Sequence, residues 1–464
     1  LRPRPASRGR SRRAPARPFT DVRKTRPSLN DSSCLIDVAV HAPLRHAFTY
    51  QWPSAWGEPR PGMRVCVPLG RGRRLGLVLG RAAAPPGGEC KRVLDAVDDA
   101  PLFDAARMRW LERAGRYWLA APGEWAETAT AWAAEDARLW EVRDRAALEA
   151  GDALLADAFG RRSRLMTRRG ARKLPADSFF RRLRRAAGGG WIAPVAPGLP
   201  PVPAGGVIER RPGRLTAAQR QCLAALEATE GFAPFLLFGR TGSGKTEVYL
   251  RAAERCVADG GQVLILIPEI GLSPQWLSRL AGRFERVAVW HSGLSDGDRL
   301  AVRARLGELD VLIGARSALF PPLPRLAMIV VDEEHDPSFK QQDGMAYHAR
   351  DMALLLGQEL EIPVVLGSAT PSLESWRLVR EGRCRLLSLP ERIAPHPDPA
   401  IEVVDMRGRD GVISTPLRQA LQDTKRAGRQ AMLYLNRRGY APALMCAACG
   451  DAPECPACAI RLTL

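Results

Sequence analysis

The stretch FLLFGRTGSGKTEVYL, Phe235 to Leu250, limits the possible folds of this chain more than any other. A short apolar run reads as a buried strand, a glycine-rich octet follows, and the next residues open a helix. A strand that enters a helix through such a loop aims several backbone N–H groups at one point, at the positive end of the helix. That arrangement cradles phosphate. Gly239, Thr241, Gly242, Ser243 and Gly244 supply the loop, Lys245 reaches the β and γ oxygens of a nucleoside triphosphate, and Thr246 offers a hydroxyl to Mg²⁺.

A second phosphate-side motif is present. MIVVDEEH, Met328 to His335, is an apolar strand that ends in acids. Asp332 is placed to hold Mg²⁺, and Glu333 to orient and deprotonate an attacking water. Around these motifs, PFLLFG, QVLILIP, RVAVWH, DVLIGA, AMIVVDE and IPVVLGSAT are short apolar runs, most of them separated by helical stretches. Such a pattern predicts a doubly wound α/β domain with a parallel sheet over residues 206–400. A further unit is expected over 401–464, with AMLYLN as its first strand.

Upstream the pattern changes. CLIDVAV, HAFTYQW, RVCVPLG and RLGLVLG, punctuated by Gly and Pro, predict a small β domain over 34–95. Residues 96–205 read as mainly helical and end in a strongly basic run, RRSRLMTRRGARKLPADSFFRRLRRAAGGGWI, then a Pro/Gly linker. A helix followed by a β-wing suits a winged-helix DNA binder, and a solvated basic helix face fits equally well. Residues 1–33 are rich in Arg, Pro and Ser and poor in acids, a composition that builds no packed core. They read as a basic tail touching nucleic acid or, by slight preference, as translated sequence upstream of the true start. The formal charge of +19 points to a polyanion, nucleic acid or an anionic membrane, unless it reflects a genome-wide bias towards Arg. No apolar stretch approaches the roughly 18 residues that span a bilayer, so no membrane association is expected.

Taken in order, GRTGSGKTEVYL, LIPEIGLSPQ, HSGLSDGDRL, GARSALFPPL, VDEEHDPSFKQQDGMAYHARDMA, GSATPSLES and YLNRRGYAPALMC resemble the PriA family of replication-restart helicases, within superfamily 2. The match covers most of 205–464 and recurs in PLRHAFTYQWP and GMRVCVPLGRGRRLGLVLG near the front. The resemblance implies a RecA-like P-loop helicase lobe behind a 3′-DNA-end-binding domain. It implies an ATP-dependent 3′ to 5′ DNA helicase that binds stalled forks, recruits primosome proteins and meets single-stranded-DNA-binding protein. It further implies a monomer in the bacterial cytoplasm, associated with the nucleoid.

Particular residues follow from that resemblance. Gln219 of LTAAQ would contact adenine, and the Ser-Ala-Thr of GSATPSLES would link nucleotide state to nucleic acid. The 3′-end pocket would use Phe48, Thr49, Tyr50, Gly70 and Lys91. Thr49 stands where the family usually has Asp, and an acid accepts a hydrogen bond from a terminal hydroxyl more strongly. Stacking of a base on Phe48 or Tyr50 survives that exchange. In the aromatic-rich loop DPSFKQQDGMAYHARD, the residues expected to meet single-stranded DNA by stacking and phosphate pairing are Phe339, Lys340, Tyr347 and Arg350. Met345 occupies a position where an aromatic is common. Arg316 and Ser317 of GARSALF are expected on backbone phosphates, with Ala315 replacing the usual Thr.

Four of the ten cysteines, Cys446, Cys449, Cys455 and Cys458, lie in the last twenty residues and suit metal or redox chemistry. A thioredoxin-like βαβ context is missing, which disfavours an oxidoreductase. Structural zinc sites usually separate two Cys pairs by about 15 to 20 residues; here the gap is five. The resemblance implies four such pairs and two Zn²⁺ ions, which makes these two pairs half-sites of different ions. It also implies a second lobe that donates arginines to the transferring phosphoryl group, and no QxxGRxGR motif occurs before Leu464. The expectation is a truncated chain that binds DNA, binds ATP–Mg²⁺ weakly and unwinds little. Rival readings are a fork-binding module without a motor and another superfamily 2 remodelling ATPase. The remaining six cysteines read as small buried hydrophobes.

Overall fold

The computed structural model describes residues 34–83, 90–98, 100–133, 139–160, 164–166, 179–195, 198–199, 214–268, 274–393, 400–405 and 413–434. They belong to two units, Leu1–Pro395 and His396–Leu464. Three sheets follow one another along the first unit.

The first sheet comprises β1 (Cys34–Val40), β2 (Phe48–Trp52), β3 (Arg64–Leu69), β4 (Gly72–Arg81) and β5 (Asp95–Ala96), in the antiparallel order β2-β1-β4-β3-β5. Its alternating residues sort by face, as period two requires. Ile36, Val38, Tyr50, Trp52, Val65 and Val78 close one core. Asp37 and Thr49 pair directly across β1 and β2 on the other face. Behind the sheet run the helices Ala105–Tyr117 and Pro122–Thr130. The first is capped by Asp104, which accepts from the Arg107 amide at 2.7 Å. It lies against the large domain, where Trp110 Nε1 donates to the Met352 carbonyl at 3.0 Å and Arg107 reaches the Leu323 carbonyl.

The second sheet, β6 (Leu139–Val142), β7 (Arg164–Met166) and β8 (Ile192–Val195), has the order β7-β6-β8. With helices Arg145–Gly151, Ala153–Phe159 and Phe179–Gly188 it encloses a small core that includes Trp140, Leu148, Phe159 and Leu183. Residues 139–195 are therefore less uniformly helical than expected. The basic helix Phe179–Gly188 is not simply solvated. Arg182 pairs with Asp152 at 2.6 Å, and Arg184 pairs with Asp95 of β5 at 2.9 Å.

The third sheet is the large one. Among the described residues it has seven parallel strands: β9 (Pro234–Gly239), β10 (Gln262–Leu266), β11 (Val287–Trp290), β12 (Val311–Gly314), β13 (Leu326–Asp332), β14 (Val364–Ser368) and β15 (Arg385–Leu389). Their order is β11-β12-β10-β13-β14-β9-β15. Every residue of β10, β12 and β14 is buried, which is why their sequences are apolar apart from Gln262 at the start of β10 and Ser368 at the end of β14. β15 is an edge strand with only Leu389 buried, and its sequence RLLSL lacked the run that marks the others. β14 lies between the central strand β13 and β9, so the loops following these three parallel strands meet at one edge. Ligands of open α/β sheets bind at that carboxyl edge.

In the second unit, helix Thr415–Arg426 starts at Ser414, whose hydroxyl accepts from the Leu417 amide at 3.1 Å. The strand expected at AMLYLN is not seen: residues 431–434 carry no strand pairing among the described residues. Residues 1–33 and the four C-terminal cysteines lie outside the described residues. Of the other six cysteines, Cys66, Cys222 and Cys384 are buried, while Cys34, Cys90 and Cys256 are half-buried, a correction to the expectation of wholly buried thiols. No described helix is long and apolar enough to cross a membrane.

Candidate functional site

The loop after β9 has the shape its glycines permit. Gly242 and Gly244 lie at φ 83° and 81°, in the left-handed region, and helix Lys245–Ala258 begins immediately after. A side chain at Gly244 would be strained by the positive φ and would also displace the Gln219 amide, whose Nε2 lies 2.3 Å from where a Cβ would stand. Lys245 is buried and donates to the Gly239 carbonyl at 2.9 Å, closing the loop on itself. The loop borders a cleft of about 360 Å³ lined by Thr241, Gly242, Lys245, Thr246, Asp332 and Glu333. P-loop and acid motif, 87 positions apart from Lys245 to Asp332, are thus brought to one wall.

Of two orphaned polar atoms near the phosphate loop, Asp332 belongs to the cleft lining and Ser243 lies within the loop behind it. Ser243 Oγ and Asp332 Oδ1 are buried without a hydrogen-bond partner. Buried polar groups are normally satisfied, and orphans of this kind at a phosphate loop suit a phosphate and a divalent cation. Burial pushes the Asp332 carboxyl up to about 6, with Glu333 adding to the rise and the Tyr249 phenol and Lys245 ammonium opposing it. A cation at this carboxylate would reverse that penalty. Burial, with Asp332 beside it, likewise raises the Tyr249 phenol well above its usual value. Glu333 takes a left-handed backbone at φ 48° and turns a half-open carboxylate into the cleft. For a non-glycine residue that conformation costs about 1–3 kcal/mol, a strain often found where a side chain must be aimed.

Behind Glu333 lies a network that the sequence did not announce. Glu334 is fully buried. It accepts from the Ser372 amide, the Ser372 hydroxyl and the Ser375 hydroxyl, each at 2.8 Å, and from Arg350 Nη1 at 3.2 Å. His335 points the other way, with Nδ1 2.8 Å from Ser368 Oγ and Nε2 3.3 Å from Thr370 Oγ1. The acid motif is therefore tied through successive residues to both ends of the Ser368–Ser372 segment. Gln219 is also placed differently from the expectation of adenine contact. Its amide is buried, bonded to the Ser243 carbonyl at 3.2 Å and to the Thr216 amide at 2.9 Å, and it does not line the cleft.

On the first sheet, Phe48 is exposed while Tyr50 is buried, its hydroxyl donating to the Pro68 carbonyl at 3.1 Å. Tyr50 is therefore a core residue, and of the two aromatics only Phe48 is open to a base. Thr49 Oγ1 donates to Asp37 Oδ1 at 2.7 Å, so a carboxylate sits one strand away from the position where the sequence lacks one. The Lys91 carbonyl accepts from the Gln51 amide at 2.9 Å, which brings Lys91 beside β2. Gly70, at φ 59°, forms the β3–β4 turn with open space around it.

Two family models match the chain. One, the 3′ DNA-binding domain, matches residues 37–131, and the other, the DEAD/DEAH box helicase, matches 216–378. The replication restart protein PriA of Haemophilus influenzae is 35% identical over 448 residues, covering 91% of this chain and 61% of that protein. PriA of Bacillus subtilis is 44% identical over 237 residues, 49% of this chain and 29% of that protein. The chain is similar to PriA proteins along 91% of its length in the first of these matches. It spans 61% of the length of the first of these relatives and 29% of the second. Among solved structures, the Hef helicase domain of Pyrococcus furiosus is 20% identical over 37% of each chain with a TM-score of 0.29, too partial a likeness to argue from. The 3′ DNA-binding match runs past the first sheet to include both helices behind it.

The aromatic-rich loop corrects several sequence expectations. Phe339 and Tyr347 are buried, and Tyr347 packs edge-on against Phe320 at 5.4 Å. Arg350 is buried too, committed to Glu334 and to Asp351 at 2.7 Å. These three are interior residues and do not present faces to a DNA strand, because the loop folds inward and Phe339 and Tyr347 join the large core with Trp110 and Phe320. Met345 is equally buried, which explains an apolar residue there without DNA. Lys340 alone of the four is exposed. Arg316 is half-buried and grips the loop, donating to the Ser338 and Lys340 carbonyls at 3.1 and 2.8 Å, with Ser317 beside it.

Proposed function

We propose that this chain carries the ATP-binding and 3′-end-recognising part of a DNA helicase that acts at stalled forks in replication restart. The observation that carries the reading is the meeting of Lys245, Thr246 and the orphaned Asp332 oxygen at one cleft. The matches to a 3′ DNA-binding domain and a helicase on the same chain support it. In this reading Thr246 and Asp332 hold Mg²⁺, which neutralises charge on the β and γ phosphates when bound. Lys245 releases the Gly239 carbonyl to bind phosphate, and Glu333 accepts a proton from the attacking water. Phe48, Lys91 and the Thr49–Asp37 pair receive a 3′ terminus. Lys340, Arg316 and Ser317 stand near the path of the strand.

The direction of movement, 3′ to 5′, and the recruitment of primosome proteins and single-stranded-DNA-binding protein belong to the same proposal, as does a cytoplasmic, nucleoid-associated location. So do two Zn²⁺ ions, each taking one pair from Cys446/Cys449 and Cys455/Cys458. The test is binding of the chain to a labelled fork whose leading strand ends in a 3′ hydroxyl at the junction. Tighter binding to it than to blunt duplex or to RNA of the same length is expected, and equal affinity for all three would refute fork recognition. Lys245→Ala should weaken ATP binding about 10- to 100-fold, the worth of a charge-assisted contact of 1.5–3 kcal/mol.

A further inference from the structure

We propose that Tyr249 is a positioning residue for the Mg²⁺ site, holding the Thr246 hydroxyl in place through its own hydroxyl. The proposal rests on the nucleotide-site reading above. Tyr249 lies three residues beyond Thr246 on helix Lys245–Ala258, so the two share a face. Its ring is fully buried, and a buried phenol needs a partner. The partner is Thr246 Oγ1, at 3.2 Å, to which the phenol donates. That bond occupies one lone pair of the threonine oxygen and leaves the other for a cation.

Two further contacts fix the phenol's position. The Tyr249 ring stacks on Trp276 with centroids 6.0 Å apart and planes 5° from parallel. On another side it meets Gly367, at the end of β14. A Cβ built there would lie 3.1 Å from Asp332 Oδ1 and 3.5 Å from Tyr249 Cε1, so carboxylate and ring edge flank one glycine. Thr246 and Asp332, the two groups that would share the ion, are thus both positioned against this one aromatic. Packing alone would be served by phenylalanine. The hydroxyl is what distinguishes a positioning role from a core role.

Tyr249→Phe keeps the stack and removes the hydroxyl. The 464-residue chain is titrated with a fluorescent ADP, first without Mg²⁺ and then with increasing Mg²⁺. The wild type should bind more tightly as Mg²⁺ is added. In Y249F the Mg²⁺ concentration giving half of that tightening should rise about two- to tenfold, as the loss of one hydrogen bond implies, with Mg²⁺-free affinity unchanged. Thr246→Ala/Tyr249→Phe should lose less than the sum of the two single variants, because the tyrosine acts in part through the threonine, and strictly additive losses would overturn the proposal. An unchanged Mg²⁺ midpoint in Y249F overturns the proposal, as does an equal loss with and without Mg²⁺. A wild type that binds no nucleotide overturns the underlying site reading, a result separable from either.

Discussion

Removing the Arg350 guanidinium should destabilise the helicase domain severely, for a reason specific to Glu334. Of the four donors that Glu334 accepts from, only Arg350 carries a charge. Glu334 has no exposed surface, so Arg350→Ala leaves a buried carboxylate with three dipolar donors and no counter-ion. Breaking a buried pair in this way costs about 3–5 kcal/mol. At about 2–4 °C per kcal/mol for a domain of this size, the melting temperature should fall by about 6–20 °C. Differential scanning calorimetry measures this directly. The decisive comparison is Glu334→Gln/Arg350→Ala, in which the uncompensated charge is gone. If the stranded charge is the cause, the double variant melts above R350A, even though it carries one more substitution. A double variant no more stable than R350A would refute the electrostatic account and leave lost packing as the explanation. An R350A that melts within about 2 °C of the wild type would refute the whole argument.

Two other outcomes follow from particular residues. Asp332 titrates near 6 in the folded chain against about 3.9 unfolded, so its burial weighs against the fold once it ionises. Its relative contribution to stability is full below about pH 4 and is lost as pH rises through about 6. Asp332→Asn should therefore raise thermal stability at pH 7.5 by about 2–3 kcal/mol, the equivalent of two pKa units, and the gain should vanish near pH 4. No gain at pH 7.5 would show that the carboxylate is not strained by burial. For the cysteine tail, titration with Co²⁺ followed by thiolate-to-metal absorption should show no clean one-to-one tetrahedral site in this chain. A sharp equivalence point at one ion would show instead that Cys446, Cys449, Cys455 and Cys458 close on a single metal.

The strands most legible in sequence were those buried on both faces, since burial on both faces demands continuous apolar residues. β10, β12 and β14 are of this kind, and within the large sheet β15, exposed along most of its length, carries no such run. The phosphate loop was legible for a related reason, because its chemistry is carried by adjacent residues. The aromatic-rich loop misled because residue type alone does not say which way a side chain faces. Phe339, Tyr347 and Arg350 are all types that bind single-stranded DNA, and all three are turned inward. Tyr50 misled in the same way, its hydroxyl spent on the Pro68 carbonyl.

The sequence by itself determined the doubly wound domain, the phosphate cradle and the likeness to PriA proteins, because each rests on local pattern or on motifs in order. Tertiary structure alone decided which polar groups are spent and which are left over. Gln219 is consumed under the loop, Arg350 by Glu334, and Thr49 by Asp37 across the strand pair. Ser243 Oγ and Asp332 Oδ1 remain buried without partners. Hydrogen bonding is settled by distance in space between residues far apart in the chain, and no reading along the chain supplies that distance.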